Sequence, residues 1–442
     1  MKIPRPGFRA SSSPQVPAEE AEEHAAWTAP VQEPPAPPAF DEPAEVEPPS
    51  ELLTPEEIQL IRASVAAVAP LAGDVTVYFY TILFTRYPQV RDLFPANMDV
   101  QRDRLLRGLL RIVDLVDDPG NLVHFCTRLG RDHRKFGALR DHYPAVGACL
   151  LDSLARYAGA AWSDATAAAW TRAYTAVADV MAQAAEDDAQ LRPAVWSAEI
   201  VRHVPLGYGI AEITVRTHGH YPYAAGQYVS METPWQPRSW RYYSPCHAPR
   251  PDSSLTFHVR AVDGGLVSPA LVHHARPGDI VHLGPPQGDM ILDPGATHDL
   301  VLVAGGTGLA PIRALVEQAA INGTERYVSV FVGARTGEEL YGLDDMLRMA
   351  QRHHWLSVRA AVSHQRIPGR EGMLPDVLRE FGPWYQHEAF LSGPVPMVTA
   401  AVQVLLDQGV PAARIHYDPL EGVPALESTP LPVPPDERRP IP

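Results

Sequence analysis

The sequence predicts three folded domains in a row: an all-α domain, an antiparallel β-barrel, and an α/β domain built on a parallel sheet. Three observations carry this. A helical period persists from Thr54 to about Asp188; short alternating β-rich runs follow Arg192-Pro193; and from Asp299 wholly apolar strands alternate with helices. At 442 residues the chain is too long for one hydrophobic core, which fits several domains.

Residues 1–50 are dominated by Pro, Ala and Glu and cannot bury enough apolar surface to offset their ordering entropy, so a disordered tail is expected. Helix begins at Thr54-Pro55-Glu56-Glu57: Thr at the N-cap, Pro at the first helical position and Glu three residues after the Thr form a capping box. Ile58, Ile61, Val65 and Val68 then recur at helical spacing, and Trp170, Tyr174, Val177 and Met181 mark the last apolar stripe of a domain spanning 51–190. Over 195–292 the runs EITVRTHG, GQYVSMET, LTFHVRAVD and DIVHLGPP, separated by Gly, Pro and Asp, read as barrel strands. Over 293–422 LVLVAGG, YVSVFVGA, LSVRAAVS and AFLSGP read as buried parallel strands, with helices in APIRALVEQAA, EELYGLDDMLRMAQ and VPMVTAAVQVLLDQG. Residues 423–442 read as a second disordered tail.

Composition narrows the function. A net charge of −15 argues against nucleic acid and anionic membrane as partners. The three cysteines, Cys126, Cys149 and Cys246, are widely spaced and give neither a disulfide framework nor an iron–sulfur spacing, so a cytoplasmic protein with an organic or haem electron carrier is expected. No signal-peptide pattern opens the chain, and no stretch approaches about 18 consecutive apolar residues.

Two motifs carry chemistry. In LVLVAGGTGLAPIRALVEQ a buried strand runs through Gly305, Gly306, Thr307 and Gly308 into a helix, a turn that lets backbone approach a pyrophosphate at a helix N-terminus. Many strand-to-helix turns hold glycine only for packing. In RSWRYYSPCHAP, Arg241 and Tyr243 share one strand face; Arg241 can pair a phosphate, Tyr243 can pack on a ring and Ser244 can hydrogen-bond a ligand, although an exposed edge strand would read the same way.

Taken in order, Gly226-Gln227-Tyr228, RYYS, Gly264-Gly265-Leu266-Val267-Ser268, Pro277-Gly278-Asp279, GGTGLAP and Leu391-Ser392-Gly393-Pro394 resemble the ferredoxin-NADP reductase superfamily over about 195–420. That resemblance implies FAD held by Gln227, Arg241, Tyr243, Ser244, Val267 and Ser268. It implies NADH or NADPH at Gly306, Thr307, Gly308, Ser392, Gly393 and Pro394. The helical segments VYFYTILFTRYPQVRDLF, MDVQRDRLLRG, GRDHRKFG, HYPAVGACLLDSL and AWTRAYTAVADVM resemble, in order and spacing, the globin half of flavohaemoglobins. His133, by itself one of eighteen histidines, then matches the proximal ligand of haem b, with Phe136 beside it. Tyr80 and Gln101 match the distal pair, Phe94 a phenylalanine against the haem, and Tyr143 a proximal tyrosine. Without the resemblance, Tyr80 is equally a core aromatic and Gln101 a surface residue.

The resemblance implies an NAD(P)H-dependent nitric oxide dioxygenase with O₂ and NO as its small-molecule substrates. Three departures bear on that. The glutamate usual on the last globin helix falls at Ala185, with Glu186 beside it; Asp132 precedes the histidine where many relatives carry lysine; and Leu420 stands where a C-terminal aromatic packs on the flavin. A haem-containing NAD(P)H oxidase or peroxide-handling reductase, and an O₂- or NO-binding sensor kept ferrous by its reductase, are the alternatives. Arg335, after the second parallel strand, is a candidate partner for a ribose 2′-phosphate, but the same residues occur as plain loop chemistry in NADH enzymes; NADH is slightly favoured.

Overall fold

The computed structural model describes residues 53–365 and 372–418. The two expected tails and Leu420 lie outside the described residues.

The first helix, α1 (Pro55–Val68), starts where the capping box places it: Glu57 N donates to Thr54 Oγ1 at 3.3 Å and Thr54 N donates to the Glu57 carboxylate at 2.8 Å. Helices α2 (Ala72–Arg86), α3 (Asp99–Asp114), α4 (Pro119–His133), α5 (Tyr143–Tyr157) and α6 (Asp164–Leu191) complete the helical domain. By average composition the run Pro55–Arg86 is apolar enough to cross a membrane, yet Ile61, Val68, Phe79 and Leu83 on it are buried in the domain core. Trp170 Nε1 donates to Ser64 Oγ at 2.9 Å, tying α6 to α1 inside that core. Two glycines set the close packing. A Cβ on Gly130 would lie 2.2 Å from the Met181 carbonyl oxygen, and one on Gly147 would lie 2.4 Å from the Tyr174 ring. Gly130 therefore lets α4 press on α6 one turn before His133. Just beyond, Arg134 pairs with buried Asp188, which Arg192 also holds at 2.7 Å.

The second domain is a six-stranded antiparallel sheet of β1 (Trp196–Gly207), β2 (Ile210–Thr217), β3 (Tyr228–Thr233), β4 (Gln236–Tyr243), β5 (Ser254–Arg260) and β6 (Ile280–Gln287). Its order is β4-β3-β6-β1-β2-β5. The edges meet just after β4, where Pro245 bridges Phe257 and Cys246 N donates to Thr256 O at 2.8 Å, so the sheet closes as a barrel. One short helix, α7 (Val267–His273), packs on it. Strand β1 has no clean alternation and carries Pro205, which is why its periodicity does not announce it; it bulges between Pro205 and Gly207.

The third domain is a parallel sheet, order β11-β10-β7-β8-β9, from β7 (Asp299–Gly305), β8 (Val328–Ala334), β9 (Leu356–Val362), β10 (His387–Ser392) and β11 (Ile415–Tyr417). Helices α8 (Leu309–Ile321), α9 (Leu343–Arg352), α10 (Leu374–Glu380) and α11 (Val395–Asp407) connect its strands. The first strand, β7, lies between β10 and β8. Strand order reverses there, and the crevice at the carboxyl ends of β7 and β10 is where such sheets bind ligands.

Candidate functional site

One cavity of about 1130 Å³ runs from the helical domain, past β3–β5, to the turns after β7 and β10. Its helical part is lined by Tyr80, Phe94, Gln101, His133, Phe136 and Tyr143, with the α6 stripe Trp170, Tyr174, Val177 and Met181 as a wall. Residues up to a hundred positions apart thus meet as the helical motifs imply.

His133 ends α4, and its Nδ1 lies 2.7 Å from the Leu129 carbonyl oxygen one turn earlier. That acceptor fixes Nδ1 as the donor and leaves Nε2 as the nitrogen with a free lone pair. Burial, the largest influence, lowers the imidazole pKa against the opposing pull of Asp132, so the ring is neutral, the form that binds a metal. Tyr80 is buried, and its hydroxyl hydrogen-bonds Gln101; burial pushes the phenol up to about 12 although Gln101 and Arg102 pull it down. It is a proton donor at neutral pH. Phe94 packs edge-on against Tyr80 and Phe84, with centroids 5.6 and 5.3 Å apart. A neutral imidazole, a protonated phenol and apolar walls fit a flat apolar group with one metal position.

The missing glutamate is not restored by a one-residue shift. Glu186 is exposed and holds Arg140 through two hydrogen bonds of 2.7 and 2.9 Å, while the acceptor at His133 is a backbone carbonyl. Burial raises the Tyr143 hydroxyl to about 12, and nearby Arg140 moderates the shift.

The flavin motif divides. Tyr243 and Ser244 line the cavity, whereas Gln227, Arg241, Val267 and Ser268 do not. Gln227 braces a loop, accepting from Ala224 N at 2.9 Å and donating to Gly288 O at 3.3 Å. Val267 is core, and Ser268 Oγ accepts from Val262 N at 3.2 Å. Arg241 donates to Trp240 O at 2.9 Å; burial, then the like charge of Arg104, lowers its pKa.

Sequence reasoning missed Tyr228, Arg104, His258, Arg260 and Asp418 on the cavity wall. Arg260 Nε is buried without a hydrogen-bond partner, which suits an anionic group of a ligand, while Arg104 lies elsewhere on the wall, beside Arg241 and Lys135. Only the alternation of His258 and Arg260 on β5 signals them in the sequence. Asp418 is raised to about 7 by burial and then by Asp289.

At the far end the turn Gly306–Gly308 and the turn Ser392–Pro394 face each other. Gly306 has φ +54°, which favours glycine, and a Cβ on Gly308 would lie 2.2 Å from the Ser392 carbonyl oxygen. This bare backbone at the switch point suits a dinucleotide. Gly308→Ala should displace the Ser392 turn and raise KM for the nicotinamide nucleotide by about tenfold or more, with flavin content unchanged; an unchanged KM would refute the assignment. Arg335, exposed, is held by both oxygens of the Glu339 carboxylate, Nε at 3.1 Å and Nη2 at 2.5 Å.

Comparison with known proteins matches these parts. The globin family matches residues 77–181, the oxidoreductase FAD-binding domain 210–291, and the oxidoreductase NAD-binding domain 302–403. A flavohaemoprotein of Deinococcus radiodurans is 29% identical over 394 residues, covering 82% of this chain and 96% of the relative. One of Bordetella pertussis is 28% identical over 401 residues, covering 83% and 98%. The fold is that of a flavohaemoglobin from Malassezia yamatoensis crystallised with FAD and haem, at TM-score 0.71 and 18% identity, covering 83% of this chain and 99% of that one. The chain is therefore a globin that takes haem, followed by FAD-binding and NAD-binding oxidoreductase domains, and it is similar along most of its length to flavohaemoproteins.

Proposed function

We propose that this chain is a nitric oxide dioxygenase, and that haem ligation by His133 and a distal role for Tyr80 and Gln101 serve that reaction. The observation that carries the reading is the single cavity joining Tyr80, Gln101 and His133 to Tyr243, Ser244 and the glycine turns. With haem and FAD bound, the groups supply electron transfer and O₂ chemistry for 2 NO + 2 O₂ + NAD(P)H → 2 NO₃⁻ + NAD(P)⁺ + H⁺.

The protein's own contribution is placement. Tyr80, kept protonated by burial, donates a hydrogen bond into the distal space, and Gln101 fixes the direction of its O–H. His133 is oriented by the Leu129 carbonyl. A carbonyl draws less on the imidazole proton than a carboxylate would. This favours reversible O₂ binding over the peroxide cleavage that a strongly donating ligand promotes. NADH is the proposed donor, because Arg335, the candidate partner for a 2′-phosphate, is already paired with Glu339. The buried, unpaired Cys126, Cys149 and Cys246 agree with a cytoplasmic protein.

The test uses the full chain loaded with haem and FAD, with an NO electrode and nitrate analysis. One nitrate should form per NO and one NADH should be oxidised per two NO. NO loss at the same rate with and without NADH, or peroxide in place of nitrate, refutes the proposal and supports the oxidase alternative.

A further inference from the structure

Two residues past His133, the short turn Arg134–Phe136 carries Lys135, whose side chain is 1% exposed. Its ammonium donates to Asp132 Oδ1 at 2.5 Å and to Ser230 Oγ of β3 at 3.2 Å. It also sits over the rings of Phe136, Trp240 and Tyr242 at 5.2, 5.6 and 5.3 Å, the last two on β4. Asp132 in turn accepts from Gln287 Nε2 of β6 at 2.7 Å. Space for this is left by Gly284 of β6, where a Cβ would lie 3.4 Å from Lys135 Cδ and 2.3 Å from Ser230 Oγ.

A buried cation is an expensive way to fill space. An apolar side chain would pack more cheaply but could slide, whereas an ammonium demands its partners in fixed places. All its partners outside its own segment lie on the barrel. They include β4, which also carries Arg241 and Tyr243, and on the globin side Phe136 touches both His133 and Trp240 edge-on, with centroids 6.0 and 6.4 Å apart.

We propose that Lys135 is a positioning residue for electron transfer between the barrel and the globin: its buried charge holds the His133 segment in one register on β3, β4 and β6. Electron tunnelling between fixed sites falls exponentially with separation, so the contact that sets the separation sets the rate. The inference rests on His133 holding haem and the barrel holding flavin, and it is independent of whether NO is the substrate.

The experiment is anaerobic stopped-flow mixing of the loaded full chain with NADH under CO, following flavin bleaching and haem reduction separately. In Lys135→Met, flavin bleaching should stay within about twofold of the parent while haem reduction slows by about tenfold or more. The flavin fluorescence lifetime, shortened by the nearby haem, should lengthen, and Lys135→Arg should recover most of both effects. Haem reduction at the parental rate in Lys135→Met, or Lys135→Arg as slow as Lys135→Met, overturns the proposal. If Lys135→Met fails to retain haem and FAD, Ser230→Ala, which removes one barrel partner and leaves the ion pair, carries the test. It should slow haem reduction alone by a few-fold, and unchanged haem reduction overturns the proposal. Slowed haem reduction in a protein that consumes no NO would refute the dioxygenase reading and leave this role standing.

Discussion

Purified His133→Ala protein, supplied with haem and FAD, is expected to show flavin absorption with little or no Soret band, and to reduce an artificial dye with NADH at close to the parental rate. Nothing else on the cavity wall offers a neutral imidazole nitrogen in the same place. His142 lines the cavity but spends Nδ1 accepting from Leu139 N at 3.1 Å, and His258 lies in the barrel. Losing only the orienting partner of a metal-bound histidine costs about 10- to 100-fold in affinity or activity, so losing the ligand should cost more than that. NO consumption should therefore fall by more than about a hundredfold. A full Soret band in His133→Ala would end the assignment of the proximal ligand and, with it, the proposed electron path.

The second large effect is expected at Tyr80. Tyr80→Phe keeps the ring that packs on Phe79, Phe84 and Phe94 and removes only the hydroxyl shared with Gln101. A hydrogen bond to a charged or strongly polarised group is worth about 1.5–3 kcal/mol, which corresponds to roughly 10- to 100-fold in an equilibrium constant. The O₂ dissociation rate of the reduced protein should rise by that order, with the haem still bound. Gln101→Leu should give a smaller rise. The double variant should be no worse than Tyr80→Phe alone, because the amide acts by aiming the phenol. An O₂ dissociation rate unchanged in Tyr80→Phe would mean that Tyr80 is only a core aromatic.

Reading the chain succeeds where the signal is local. The capping box at Thr54-Pro55-Glu57, the Gly305–Gly308 turn and the helical stripe on α6 are all local, and each forms in the structure where its spacing places it. Strand β1, the short helix α10 and the three-residue β11 were not legible. Their order comes from neighbours: β1 is paired on both sides, by β2 and β6, and β11 exists only as an addition to β10. The flavin motif was legible as an order of residues, but which of its side chains face the cavity was not. Gln227, Val267 and Ser268 turn to the loop or the core, while Arg104 and Arg260, unremarkable among 37 basic residues, reach the cavity.

The sequence by itself determined the three folds, their order and the two glycine turns, because periodicity, caps and turn residues act over a few positions along the chain; His133, Tyr80 and Gln101 stand out only through the family resemblance. Only the tertiary structure decided that Tyr80 reaches Gln101, that His133 leans on the Leu129 carbonyl while Glu186 faces outward, and that Lys135 is a buried cation rather than a solvated one. Those facts depend on which faces of distant elements are pressed together. Here the pressing is done by the absent side chains of Gly130 and Gly284 as much as by any side chain present.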